Sequence, residues 1–334
     1  MNSPDLLALT VTVFGLAWWL GLYLLARDPA DQALRFAGLG LVSYALGLAA
    51  DLLSQAAPTP ASSQLLARWG WPLLLLPALF WFGTLAYVLP ESTMARRRLA
   101  RPLRLFLIPG AILIYLLAGG TERVATIDDG GLQPAPLYPL FALVVIGLLV
   151  GALLMVLRAH RPNLQAGLGV IVLATIFFGL GTGLLLFPLA WLPRQVLALA
   201  IGGDLALLGG AIAGLDALDQ GEALLPDFLR SSGYAGFTAV LFGGQVALVM
   251  VLATGATFPM VVLLLATVAA AIAVQTLADP LQAALDWLLF ARLPRIRQAR
   301  TEARAVARGA TRGRETLDID TLSEAQLTRL TRRA

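Results

Sequence analysis

The chain has 334 residues, 58% hydrophobic and only 13% charged, with a net charge of +4 at pH 7. Soluble domains carry about 25% charged residues, so this composition excludes an ordinary water-soluble fold. All 24 basic residues are arginine and there is no cysteine, which excludes a retinal or pyridoxal Schiff base, a Walker-type phosphate loop, a thiolate nucleophile, an iron–sulfur cluster and a disulfide framework.

Nine apolar runs are long enough, at about 20 residues each, to cross roughly 30 Å of hydrocarbon. They fall at 5–26, 33–54, 69–89, 102–119, 138–157, 166–188, 195–215, 235–254 and 258–278. Strict polar–apolar alternation is absent, which argues for helices over a β-barrel. The expected fold class is therefore all-α, a polytopic integral membrane helical bundle of about nine transmembrane helices. The first run follows "MNSPD" with no positive segment before it, as in a retained helix rather than a cleaved signal peptide.

The connections carry their own signals. "QAAPTPASSQ" between spans two and three is rich in proline, serine and alanine and is expected as a flexible connector. The segment 119–137, "GGTERVATIDDGGLQPAPL", holds Asp128 and Asp129 before two glycines, which is either a turn or a cation site. Between spans seven and eight, Leu224, Leu225, Phe228 and Leu229 suggest a short surface helix in an otherwise acidic stretch.

Arginine placement sets the orientation. Arg96, Arg97, Arg98, Arg101 and Arg104 cluster between spans three and four, and alternation from that anchor puts 21 arginines inside and three outside. The N-terminus is then outside and the C-terminus cytoplasmic. Beyond the ninth span, Asp279 and Pro280 open an amphipathic helix expected at the cytoplasmic interface, followed by a tail from 290 to 334 with eleven arginines and five acids. Three regions follow: a seven-helix membrane module over 1–230, two additional transmembrane helices over 231–279, and the interfacial helix with its basic tail over 280–334. Arg96, Arg97, Arg98, Arg101, Arg158, Arg161, Arg295 and Arg297 are candidate contacts to anionic lipid headgroups, as is His160 beside Arg161. A single histidine supplies neither paired haem ligands nor a histidine-rich metal site, so no cofactor or metal is expected. No aromatic or base-reading motif accompanies the tail's charge, which argues against nucleic acid and leaves a protein partner at the tail as the other candidate.

Ionisable groups inside the hydrocarbon mark candidate sites. Asp204 lies near the midpoint of span seven in "LALAIGGDLALLGGAIAG", and Asp51 lies near the outer end of span two on a face shared with Gly40, Tyr44 and Gly47. Asp204, Asp51 and Tyr44 form the candidate intramembrane polar site, with a groove expected along the Asp51 face. Gly202, Ala206, Gly210 and Gly214 recur every fourth residue, and span six carries Gly179, Gly181 and Gly183; spans six and seven are expected to pack through these small residues. Asp204 then faces another neighbour. It either hydrogen-bonds across helices, to Tyr44, Thr84, Tyr115, Thr182 or Gln245, or serves a ligand, proton or ion. Catalysis is a third role: "IGGD" is similar to the Gly-x-Gly-Asp motif of intramembrane aspartyl proteases, although Ile201 stands at the first glycine and Asp51 is the one candidate partner.

Three stretches together resemble the N-terminal seven-transmembrane sensor module found ahead of bacterial histidine kinases and related signalling proteins. They are "RDPADQALRFAGLGLVSYALGLAADLL", "WPLLLLPALFWFGTLAYVLPE" and "GGDLALLGGAIAGLDALDQGEALLPD", and the resemblance spans residues 5–230. It implies a bacterial inner-membrane input module, here without kinase elements. The expected function is a non-enzymatic sensory, signalling or partner-binding module acting through the basic tail. The alternatives are a small-solute transporter or channel component, or an accessory subunit of a larger membrane complex.

Overall fold

The computed structural model describes residues 4–28, 31–88, 93–128, 131–158, 165–186, 199–207, 209–210 and 224–278. The chain divides into a unit of residues 1–277 and a second of 278–334; the first is described below. Its helices are α1 (Pro4–Arg27), α2 (Gln32–Ala56), α3 (Pro60–Gly70), α4 (Leu76–Val88), α5 (Thr93–Gly120), α6 (Tyr138–Arg158) and α7 (Gln165–Leu186). They continue as α8, whose described part covers 199–207 and 209–210, then α9 (Leu224–Val249) and α10 (Phe258–Thr276).

Among the described residues, six helical stretches are long and apolar enough to cross a membrane: Leu6–Arg27, Gln32–Ala56, Pro60–Tyr87, Tyr138–Leu157, Arg230–Leu252 and Phe258–Thr276. Shorter apolar stretches occupy Phe106–Gly120 and Thr175–Leu186. Large apolar side chains point outward along several helices, with Phe106 71%, Leu143 68%, Val240 74% and Val251 80% exposed. Water would not tolerate so much contiguous apolar surface, so this is a membrane-embedded helical protein.

Helix α2 is the hub. It packs against α1, α3, α4 and α10, and buries Leu34, Phe36, Leu41, Tyr44 and Leu48 almost completely. Asp31 caps its start by accepting from the amides of Ala33 (2.6 Å) and Leu34 (3.1 Å), which satisfies two of the unpaired donors at a helix N-terminus. The crossing of α1 and α2 is close because glycines meet there. A Cβ on Gly38 would stand 2.8 Å from the Gly21 carbonyl oxygen, so any side chain at the crossing would push the helices apart.

The stretch from Gln55 to Gln64 corrects one expectation. Instead of a flexible connector, it contains the capped start of α3: Thr59 accepts from the Ser62 amide at 3.2 Å, Ser62 Oγ accepts from the Thr59 amide at 3.3 Å, and Pro60 takes the first helical position. That reciprocal capping, with proline where no amide is needed, specifies a helix start. The third membrane stretch therefore begins at Pro60 rather than at residue 69, and runs through a 3-10 turn at Trp71–Leu74 into α4. Pro72 accounts for that turn, since it removes an amide from the α-helical ladder.

Two further connections are ordered. Strands β1 (Ala125–Asp128) and β2 (Gly131–Pro134) form an antiparallel hairpin with Asp128 opposite Gly131, so the acidic–glycine stretch sits at a hairpin end. The short surface helix expected near residue 224 is instead the opening of α9; Pro226 is tolerated there because the first helical amides need no intrahelical partner. Helices α9 and α10 form a hairpin joined through a π-turn that ends at Gly255, whose φ of 68° suits glycine. Two tryptophans tie it to α1: Trp18 Nε1 donates to the Ala269 carbonyl (3.1 Å) and Trp19 Nε1 to Ser231 Oγ (3.2 Å).

Candidate functional site

The polar site centres on Tyr44, two turns before Asp51 on α2. Its side chain is fully buried, and among the described residues its hydroxyl finds no acceptor. The hydroxyl rests against Gly202 of α8, where a Cβ would lie 3.2 Å from the Tyr44 oxygen and would overlap Val13 of α1. The backbone amide of Gly202 is close enough to the hydroxyl oxygen to act on it. That amide is itself a donor, so it cannot take the hydroxyl proton. Asp51 and Asp204 both lie within electrostatic range of this hydroxyl.

Helix α8 enters the crevice between α1 and α2 through a face different from the expected one. A Cβ on Gly209 would lie 2.8 Å from Leu20 and 3.0 Å from Leu41, and Leu205 between the two glycines is buried. The close-packed face is therefore Gly202, Leu205 and Gly209, two turns long. Gly210, expected on the seam, faces open space, and Gly214 lies outside the described residues. Contact between α7 and α8 is narrower than expected: Gly181 meets Ile201, while Gly179 and Gly183 meet nothing within 4 Å.

Asp204 sits on the flank of that face and is partly buried. Among the described residues it makes no hydrogen bond or ion pair. Among the described residues, none of the interhelical partners expected for it is bonded to it. Thr84 Oγ1 donates to the Phe80 carbonyl at 3.0 Å, Tyr115 packs its ring against Trp69 at 5.5 Å, Gln245 is exposed, and the buried Thr182 hydroxyl has no partner.

Asp51 accepts from Gln55 Nε2 at 2.8 Å, one turn further along α2. The groove expected along its face is filled: Gly40 packs on Phe80 and Pro77, and Gly47 on Leu74. Tyr44 thus meets Gly202, two residues from Asp204, at one junction, and Asp51 lies within electrostatic range of the same hydroxyl. The arginines fall at the margins. Arg96, Arg97, Arg98 and Arg101 lie on the first turns of α5 and Arg158 ends α6. Arg161, His160, Arg295 and Arg297 lie outside the described residues, as does the whole interfacial helix and basic tail after Ala278.

Sequence inspection passed over Arg68. From α3 it donates Nε to the Gly119 carbonyl (2.7 Å) and Nη2 to the Gly120 carbonyl (3.1 Å), and pairs with Glu122 (3.3 Å). It closes the C-terminus of α5, whose last carbonyls have no helical partner. Only its position near an apolar helix end hinted at this. Trp81, also unflagged, donates Nε1 to Thr175 Oγ1 at 3.3 Å between α4 and α7, and Tyr138 donates its hydroxyl to the Leu186 carbonyl between α6 and α7.

The chain matches no family model, no curated protein and no solved structure. Its class is that of a membrane-embedded helical protein with a buried, unsatisfied polar junction between α2 and α8.

Proposed function

We propose that this chain is a non-enzymatic sensory or partner-binding module of a bacterial inner membrane. Its nine spans run from an outside N-terminus to a cytoplasmic C-terminus, and its basic tail carries the output. The observation that carries this proposal is the Tyr44 hydroxyl, fully buried against Gly202 with no acceptor among the described residues. An unmade buried hydrogen bond costs about 1–3 kcal/mol, and phenylalanine would fill the same space without that cost. The hydroxyl is therefore useful in a second arrangement, in which α8 turns through a large part of a revolution, since Asp204 lies about 200° round the helix from Gly202, and brings the Asp204 carboxylate to accept it. Such a contact gives α8 two positions that a ligand or partner can bias. Helix α8 leads toward the cytoplasmic side in the arginine-derived orientation. The resemblance of residues 5–230 to sensor modules supports the same assignment.

Purification of the full chain in native nanodiscs, followed by mass spectrometry, tests the partner-binding part. A protein retained at fixed stoichiometry, and lost when residues 290–334 are removed, is the expected result. A monomer carrying no protein partner contradicts it.

A further inference from the structure

Helix α9 turns most of its surface away from the rest of the bundle. It packs along α10, where a Cβ on Gly243 would stand 2.7 Å from Val268. Only 17% of its apolar stretch Arg230–Leu252 is buried, the smallest share among the six membrane-crossing stretches. Hydrocarbon accepts the exposed Phe237, Leu241 and Leu248. Gln245 is the exception.

Gln245 lies two residues past Gly243, about 200° round the helix, and is exposed on the side away from α10. The midpoint of the apolar stretch is Leu241. Gln245 is therefore about 6 Å from the middle of the hydrocarbon and about 10 Å inside its nearer end, too deep for its side chain to meet headgroups or water. Among the described residues no group bonds its carboxamide, and it does not turn back onto its own helix. Lipid tails offer it neither a donor nor an acceptor, so the group is costly to leave alone there.

The chemistry of the group names its partner. A carboxamide carries one acceptor oxygen and two donor hydrogens, so its complement is a second carboxamide. Another copy of this chain inserts in the same direction and presents that group at the same depth. The neighbouring residues suit such a pairing: Thr238, Leu241, Gln245 and Leu248 recur at intervals of three, four and three, the spacing of a left-handed helix–helix seam. Leu241 and Leu248 flank the glutamine, and Thr238 turns its hydroxyl onto the Tyr234 carbonyl at 2.9 Å, which leaves no second polar demand on the seam. A two-fold axis along the membrane normal brings like residues of two α9 helices together.

We infer that two copies of this chain pair side by side through α9, with the Gln245 carboxamide of each donating to the carboxamide oxygen of the other. The pairing uses the face opposite α10 and stands whether or not the Tyr44 junction signals.

The test uses the full chain in liposomes of phosphatidylethanolamine and phosphatidylglycerol. Counting fluorophore bleaching steps on chains labelled at an added terminal cysteine, over a series of lipid dilutions, gives the dimer dissociation constant. Gln245→Leu should raise that constant about eightfold, from two interhelical hydrogen bonds at about 0.6 kcal/mol each. The substituted side chain is exposed, so the fold is undisturbed. The chain has no cysteine of its own, which permits a second measurement by oxidative cross-linking. Leu248→Cys should form a disulfide between copies, whereas Val240→Cys, 74% exposed but about 140° round the helix from Gln245, should not. A monomer at every dilution overturns the inference. So does a dimer that Gln245→Leu leaves unchanged, or cross-linking at Val240→Cys equal to that at Leu248→Cys.

Discussion

The Tyr44 hydroxyl on α2 rests against the backbone of Gly202 on α8, buried and without an acceptor among the described residues, in a contact that leaves no room for a Cβ on the glycine. Two helices whose numbering differs by more than 150 residues are thus joined through a polar group that this arrangement leaves unsatisfied.

Gly202→Ala should destabilise the protein by about 2–3 kcal/mol or prevent its folding, because the new methyl would overlap Val13 and press on the Tyr44 ring. Gly210→Ala, two turns along the same helix, meets nothing within 4 Å and should be neutral or slightly stabilising through helix propensity. Thermal unfolding in detergent of both variants checks the pair. Equal losses would mean that α8 packs through the four-residue seam instead.

Tyr44→Phe should leave the melting temperature unchanged or raise it, by up to about 1–3 kcal/mol of stability, since it deletes an unsatisfied buried hydroxyl while keeping the ring. A clear loss of stability would show that the hydroxyl has an acceptor.

Asp204→Asn should stay within about 0.5 kcal/mol of wild type, because the carboxylate makes no hydrogen bond among the described residues. An interhelical hydrogen bond inside a membrane protein is worth about 0.6 kcal/mol on average and up to about 1.7, so a loss in the upper part of that range would identify a partner for Asp204.

At the opposite end of α3, Arg68→Gln should cost about 2 kcal/mol, because it uncovers two terminal carbonyls of α5. Glu122→Gln should cost no more than about 0.5 kcal/mol, since Glu122 is 72% exposed and its pair with Arg68 is screened. Comparing the two melting curves separates the cap from the ion pair.

Much of the fold was legible from apolar run length alone. The run at 138–157 is α6 (Tyr138–Arg158), and the run at 258–278 is α10 (Phe258–Thr276); a stretch of about 20 apolar residues has few alternatives in a membrane chain. Reading composition instead of position hid the start of α3, where Thr59, Pro60 and Ser62 make a cap within a stretch that looked like a linker. The candidate site was half legible. Tyr44, Asp51 and Asp204 stood out as polar residues in apolar helices, but the partners were not readable. Gly202 with Gly210, and Gly202 with Gly209, both describe one side of a helix. Only Val13, Leu20 and Leu41, on helices distant in sequence, decide which pair is buried. Trp18 and Trp19 counted as apolar until their indole N–H groups found acceptors on α9 and α10.

The central claim is that α8 has two positions against α2, distinguished by the acceptor of the Tyr44 hydroxyl. The chain has no cysteine, so a single Leu207→Cys on the exposed side of α8 can carry a trifluoromethyl label for fluorine NMR in nanodiscs. Two exchanging resonances are expected, merging into one when Tyr44→Phe is added, because the second position loses the hydrogen bond to Asp204 that stabilises it. A single resonance that Tyr44→Phe leaves unchanged would contradict the claim.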